Sequence, residues 1–172
     1  MIFVKDIMSS PAITISEDNT VTEAAVIMKK HNVGCLIVQS KTQDVIGIVT
    51  ERDILFRIIA QGKDPVSTKI KEIMNAKITS VRPDMSLYEA STLLEEKKIR
   101  RLPVTSFIPA IHKDRLVGVV TETDIHIALR DHTIDELKTK VHELELFNKM
   151  AIGRELKMAE LKKKIKQMEG KI

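Results

Sequence analysis

The feature that most constrains this 172-residue chain is an internal duplication. Gly47-Ile48-Val49-Thr50-Glu51-Arg52-Asp53-Ile54 recurs as Gly118-Val119-Val120-Thr121-Glu122-Thr123-Asp124-Ile125. Each copy reads as the end of an apolar strand running into a helix, with Thr at the cap position and Asp three residues on. Upstream, Asp6-Ile7-Met8 matches Glu72-Ile73-Met74, and Thr20-Val21-Thr22-Glu23-Ala24 matches Ser86-Leu87-Tyr88-Glu89-Ala90, both at a shift of 66. By the Gly-led element the shift has grown to 71, so the second copy carries five extra residues in one connection. They fall near Phe107-Ile108-Pro109-Ala110-Ile111-His112-Lys113-Asp114, where Pro and Asp-Arg predict a longer hairpin loop.

Hydrophobic periodicity fills in each copy. A helical turn around Val4 to Met8 leads through Pro11 into a strand from Ile13 to Ile15. Thr20 and Glu23 then form a capping box, ahead of a helix whose apolar face carries Val21, Ala24, Ala25 and Met28. The continuous apolar run Val33 to Val38 predicts a strand covered on both faces, with Asp44 to Val49 as its hairpin partner. A closing helix, Glu51 to Ala60, ends at Gly62 and Pro65. The second copy predicts the same order: strand Ile78 to Val81, a helix capped by Ser86 and Glu89, strands Leu102 to Val104 and Leu116 to Val120, and a helix from Glu122. The expected fold class is α/β (α+β), two pseudo-symmetric units packed sheet to sheet, with a long C-terminal helix or coiled coil. The expected domains are 1–66, 67–132 and a helical tail 133–172.

Composition excludes several classes of function. The chain is 43% hydrophobic and 30% charged, a globular balance, and its 3% aromatic content leaves little for a base-stacking surface. No apolar run approaches the ~18 residues needed to span a bilayer, and Lys5 and Asp6 interrupt any signal-like core, so a cytoplasmic location is expected. The single cysteine, Cys35, excludes an internal disulfide and a multi-thiolate metal cage; within an apolar run it reads as a core residue. The five histidines, His31, His112, His126, His132 and His142, show no His-Glu-x-x-His spacing and are read as lacking a carboxylate at helical i+4 reach. No Walker-type loop or Gly-rich dinucleotide fingerprint occurs. No catalytic residue and no metal site is expected, and the chain is read as no enzyme.

With these motifs in view, residues 1–132 resemble a tandem pair of cystathionine-β-synthase-type (CBS) domains. The resemblance rests on Ile7-Met8, Ile13-Thr14-Ile15, Glu23-Ala24 and Gly47 to Asp53 in the first copy. In the second it rests on Ile73-Met74, Leu102-Pro103-Val104 and Gly118 to Asp124. It implies a regulatory module that binds adenosine-containing ligands in two clefts between the copies. The closing Asp would take the ribose hydroxyls and the Thr the phosphate, giving Thr50 and Asp53 in one cleft and Thr121 and Asp124 in the other. Adenine would lie against the entering strands, at Ile13-Thr14 and Thr79-Ser80. The chemistry is apt, because a carboxylate accepts from two hydroxyls and a helix N-terminus presents N–H groups to an anion. Thr followed by Asp also satisfies a capping box with no ligand at all.

Arg100 and Arg101, just before Leu102, would direct guanidinium groups at phosphate. Their first-copy counterparts are Gly34 and Cys35. Unequal clefts are therefore expected, the second (Thr121, Asp124) suited to a phosphate tail. The first would prefer a less charged thio- or sulfonium-adenosine, or stay empty. Regulatory AMP, ADP, ATP or S-adenosylmethionine is the expected ligand, and no cofactor is obligatory.

The tail departs from this pattern. From Lys149 onward eight basic residues face three acidic ones, so a chain of net charge +4 concentrates +5 there. Glu, Leu, Lys and Met favour a continuous helix of about 55–60 Å. Ile134, Leu137, Val141 and Leu144 recur by three and four, as do Phe147, Ala151, Met158, Leu161, Ile165, Met168 and Ile172, with Arg154 interrupting. The step from Leu144 to Phe147 is a phase change, and Gly153 close by predicts a flex point. Glu143 to Met158 resembles a linker helix beside sensor domains, which implies a homodimeric relay to a protein partner. The alternatives are a ligand-independent dimerisation scaffold, or a regulator docking Lys162-Lys163-Lys164 on nucleic acid, the latter not expected.

Overall fold

The computed structural model describes residues 2–109 and 113–169, with side chains reaching Lys163. His112 and Ile172, and the side chains of Lys164, Ile165 and Met168, lie outside the described residues. The chain divides into a unit 1–126 and a unit 127–172.

In the first unit, a 3-10 turn (Val4–Asp6) precedes strand β1 (Thr14–Ser16), helix α1 (Val21–His31), strands β2 (Cys35–Gln39) and β3 (Val45–Thr50) and helix α2 (Glu51–Arg57). Helix α3 (Ile70–Ile73), helix α4 (Leu87–Lys97) and strands β4 (Arg101–Ile108) and β5 (Lys113–Thr121) follow. Helix α5 (Glu122–Glu169) begins here and continues into the second unit. The boxes at Thr20/Glu23 and Ser86/Glu89 form as the sequence predicts, each helix ending on a left-handed residue, Asn32 or Lys98. The closing helix is shorter than expected: α2 stops at Arg57, and a 3-10 turn (Ile59–Gln61) leads to Gly62 at φ 62°.

The first sheet runs β1-β2-β3, with β1 parallel and β3 antiparallel to β2. The second has β4 and β5 antiparallel, and the expected strand Ile78 to Val81 contracts to a single parallel bridge, Val81 to Val104. Two prolines explain the contraction. In the first copy Ile37 N–H donates to Ile13 O and Glu17 N–H to Gln39 O. The equivalent donors in the second copy are Pro103 and Pro83, which have no N–H to give. The expected long loop at 107–114 also differs, since Phe107 pairs with Asp114 and Ile108 with Lys113. The insertion lengthens the ladder, because each added pair satisfies backbone groups that a loop would leave to water.

The two copies exchange their leading segments. Val4 N–H donates to Met85 O and Lys5 N–H to Pro83 O, placing the first turn on the second copy. In mirror fashion, Ile70 N–H donates to Asn19 O and Lys71 N–H to Glu17 O, and Ile70 and Ile73 are buried in the first core with Leu36, Val38 and Val49. The methionines of the Ile-Met elements complete the exchange. A Cβ on Gly47 would come within 2.6 Å of Met74 Sδ, and one on Gly118 within 2.8 Å of both Met8 Sδ and Ser9 O. Each glycine is therefore bare so that the other copy's Met can close over it.

In the second unit α5 stands as one helix, continuous through Gly153, so the expected flex point is helical. Leu137, Val141, Leu144, Phe147, Met158 and Leu161 are exposed along it. One expectation about its histidines is corrected: His132 lies at i+4 from a carboxylate, with Nδ1 3.7 Å from Glu136 Oε1.

Candidate functional site

Exchange of the leading segments crosses the clefts. The backbone of Ile48, just before Thr50, pairs with Asn75 (N–H to O, 3.1 and 2.9 Å), so the first copy's Thr-Asp element faces the second copy's entry strand. Val119 pairs with Ser9 in the same way (3.0 and 2.9 Å), so Thr121 and Asp124 face the first copy's entry. Two hollows follow from this crossing, both between the copies and both within the first unit.

The larger cleft, about 510 Å³, is lined by Ile48, Thr50, Glu51 and Arg52 from one side and by Met74 to Thr79, Lys98 to Arg101 and Pro103 from the other. The smaller, about 230 Å³, is lined by Ser9, Pro11 to Ile13, Asn32 to Cys35 and Ile37, with Val119, Thr121 and Asp124 opposite. Arg101 borders both. Ligand pockets generally hold about 300–1,000 Å³, which the larger cleft meets outright.

Position by position, the two linings are equivalent and their chemistry is not. Arg52, Lys77, Lys98, Arg100 and Arg101 in the larger cleft correspond to Thr123, Pro11, Asn32, Gly34 and Cys35 in the other copy. Five cations against Glu51 make the larger cleft a concentrated positive field, strengthened by its low-dielectric walls. Arg101 is 23% exposed and sits 3.8 Å from Glu51 Oε1; among the described residues Arg100 has no ion pair. Gly34 leaves the room that Arg101 occupies, since a Cβ there would meet its Nη2 at 2.8 Å. The smaller cleft has Arg101 against Asp124, near neutrality.

The crossing corrects one expectation. The sequence predicts Arg100 and Arg101 in the cleft of Thr121 and Asp124, but Arg100 lines that of Thr50, and Arg101 borders both. Thr79 lines the larger cleft, whereas Ser80 accepts from the Thr105 hydroxyl at 3.4 Å. Thr14 lies in β1 opposite Ile37, and its neighbour Ile13 lines the smaller cleft.

The two Thr-Asp elements share one local geometry. Thr50 N–H and hydroxyl donate to Asp53 Oδ2 at 3.0 and 2.6 Å, and Asp53 N–H returns a bond to Thr50 Oγ1 at 3.2 Å. At Thr121 and Asp124 the same three distances are 3.0, 2.7 and 3.2 Å. The capping function is therefore fulfilled in both, using one carboxylate oxygen.

The second oxygen separates them. Asp53 is only 9% exposed, and its Oδ1 accepts from Asn75 Nδ2 at 3.1 Å with Arg57 Nε 3.5 Å away. Arg57 also donates to the carbonyls of Ile73 (2.6 Å) and Met74 (3.3 Å) and to Asn75 Oδ1 (2.7 Å), stitching α2 to the end of α3. Asp124 is half-buried and borders the smaller cleft, and its Oδ1 has no partner among the described residues. Sequence reasoning missed Asn75 and Arg57. Their signal lay in the duplication, where the equivalent positions hold Ser9 and Ala128.

Cys35 forms part of the smaller cleft's wall. Burial pushes its thiol above the ordinary range, Arg101 pulls against that and Glu51 adds to it. Among the described residues no group of three or more His, Cys, Asp or Glu is placed to hold a metal ion, and no helix is long and apolar enough to cross a membrane.

Comparison with known proteins gives this geometry a family. The family model of the CBS domain matches residues 4–60 and 70–131. The CBS domain-containing protein YhcV of Bacillus subtilis (strain 168) is 40% identical over 125 residues, 72% of this chain and 83% of that protein. Hypoxic response protein 1 of Mycobacterium tuberculosis (strain CDC 1551 / Oshkosh) is 34% identical over 134 residues, 78% of this chain and 90% of that one. Among solved structures, the CBS domain pair of protein MJ0100 in complex with 5′-methylthioadenosine and S-adenosyl-L-methionine superposes with a TM-score of 0.67 at 30% identity, covering 77% of this chain and 98% of that one. The chain belongs to the CBS domain family, as a tandem pair followed by a long helix.

Proposed function

We propose that this CBS pair is a non-enzymatic sensor that binds adenosine-containing ligands in its two crossed clefts and relays occupancy through α5 as a homodimer. The observation that carries the proposal is the split of chemistry between equivalent linings: five cations around Thr50 in one cleft, an available carboxylate oxygen at Asp124 in the other. Phosphate oxygens match the guanidinium forks of Arg100 and Arg101, so the larger cleft takes AMP, ADP or ATP by its anionic end. A ribose diol can donate to the outer oxygen of Asp124 while the inner one remains on Thr121, and the near-neutral surroundings suit an uncharged or sulfonium tail. The complex of the MJ0100 pair with methylthioadenosine and S-adenosylmethionine supports that ligand class.

Signalling requires the ligand to favour one arrangement of the copies over another. Because each cleft is walled by both copies, an occupant bridges them, and α5 begins at Glu122, beside Thr121 of the smaller cleft. The exposed Leu137, Val141 and Leu144 offer the helix a second copy to pair with. Calorimetric titration with AMP, ATP and S-adenosylmethionine tests the sensing claim. AMP binding weakened at least tenfold by Arg100→Ala together with Lys98→Ala is expected, and no saturable binding by the wild-type chain would reject it. Sedimentation of wild type against Leu137→Asp/Leu144→Asp tests the dimer, which should dissociate.

A further inference from the structure

The geometry points to Asn75 and Arg57 as specificity-determining residues that withhold Asp53 from ribose, so that the larger cleft selects its occupant by phosphate and the smaller by sugar. This rests on the reading of both clefts as adenosine-ligand sites and adds which part of the ligand each one recognises.

Consider what a ribose needs from an aspartate that caps a helix. The capping box holds Oδ2 in both copies, so only Oδ1 is left to accept from the diol. In the first copy Oδ1 already faces two donors: the Asn75 carboxamide at 3.1 Å and the Arg57 guanidinium at 3.5 Å. Those donors occupy the acceptor sites that sugar hydroxyls would use. Asn75 lines the larger cleft and bonds Asp53, which is not itself among the lining residues.

These donors are themselves anchored. Arg57 Nη1 donates to the carbonyls of Ile73 and Met74, which fastens the guanidinium to the end of α3 and keeps its Nε beside Asp53; Met74 of that segment closes over Gly47. A sugar hydroxyl pair replaces only the Oδ1 contacts and leaves Arg57 to find others. The second copy has neither obstacle. Ser9 is too short to reproduce a carboxamide donor, and Ala128 at i+4 from Asp124 has no polar atom.

The test uses adenosine, which has the sugar and no phosphate, and counts sites by equilibrium dialysis and calorimetry on the full chain. Wild type should bind one adenosine. Arg57→Ala/Asn75→Ser, which copies the second copy's residues into the first, should bind two, the new site at least tenfold tighter than any residual binding there in wild type. Retention of the original site at an unchanged Kd shows that the variant folds. Asn75→Ser alone keeps Arg57 on the α3 carbonyls and should give a weaker second site. The reverse graft, Ser9→Asn/Ala128→Arg, should weaken the wild-type site at least tenfold in a protein with unchanged circular dichroism.

A folded Arg57→Ala/Asn75→Ser protein that still binds one adenosine overturns the inference while leaving the ligand class intact. So does wild type binding two adenosines, one lost in Asp53→Asn. No adenosine binding by wild type or any variant rejects the reading of the clefts and this inference with it.

Discussion

Thr50-Asp53 and Thr121-Asp124 share a sequence pattern, a place in the fold and, to within 0.1 Å, the same three capping bonds. What differs is the oxygen the cap does not use. At Asp53 it is drawn inward by residues four and 22 positions away; at Asp124 it is left at the edge of a hollow. Local sequence thus determines that the helix is capped, while residues outside the motif determine whether the carboxylate is also available to a ligand. Duplicated sites can diverge in this way without changing a motif residue.

The largest expected effects come from breaking the comparison directly. Asp53→Ala takes the acceptor from Asn75 Nδ2 and the nearby carboxylate from Arg57 as well as removing a cap, and should cost about 2–4 kcal/mol of stability in urea unfolding. Asp124→Ala removes only the cap from the folded state, about 1 kcal/mol. Its cost falls on the ligand: adenosine affinity should drop roughly 30- to 150-fold, equivalent to about 2–3 kcal/mol of charge-assisted hydrogen bonding. Equal stability losses in the two variants would dissolve the distinction.

How much of this could be read beforehand follows from the same logic. The duplication, the Thr20/Glu23 and Ser86/Glu89 boxes and the strand-to-helix passage at Thr50 are local patterns, and they are where the sequence places them. The exchange of leading segments is not local. Nothing within Ile73-Met74 says that it will pack on Gly47 of the preceding copy rather than on its own, so Arg100 was expected beside Thr121 and lies beside Thr50. The lost strand at Ile78 to Val81 was legible in principle, because Pro83 and Pro103 both fall on ladder donors, but only once the first copy's bonds are known.

Next in size are the two glycines, whose difference sharpens the comparison from the packing side. Gly118→Ala would put a methyl group 2.8 Å from the Ser9 carbonyl oxygen, part of the backbone pair that shapes the smaller cleft. Backbone cannot swing aside, so a loss of about 2–3 kcal/mol is expected, with the adenosine site weakened as well. For Gly47→Ala the three nearest atoms all belong to the Met74 side chain, whose thioether can change rotamer, so about 1–2 kcal/mol is expected in the same unfolding experiment. A larger loss at Gly47 would mean that Met74 is held more rigidly than Met8.

Electrostatics gives a smaller but more selective contrast. Arg100 borders the cleft with five cations and has no ion pair among the described residues, so Arg100→Ala should weaken AMP by about 3- to 10-fold, roughly the value of one partly exposed charge on a phosphate. Raising salt from about 0.05 to 0.5 M should weaken AMP by a similar factor, since exposed charges beyond a few ångströms are then screened. Adenosine, if taken by Asp124 in near-neutral surroundings as proposed, should change less than twofold. Parallel salt dependence for both ligands would place them in one cleft.

The smallest effect concerns the position where the clefts diverge most in chemical type, Cys35 against Arg101. Burial raises the Cys35 thiol, so between the ordinary thiol range and the raised value the folded chain keeps a proton that the unfolded chain has released. The folded state then binds more protons, and stability falls as pH rises through that window, by at most about 1.4 kcal/mol per unit. Below about pH 8 the contribution is fully present and the profile should be flat. Cys35→Ala should remove the alkaline slope in unfolding curves collected from pH 7 to 10. The comparison also has a kinetic side. A thiol kept protonated in the wall of the smaller cleft should react with iodoacetamide more slowly than free cysteine at pH 8. Saturating adenosine should slow it further, whereas AMP bound among the cations of the larger cleft should leave the rate nearly as it was; protection by AMP alone would reverse the assignment of the two clefts.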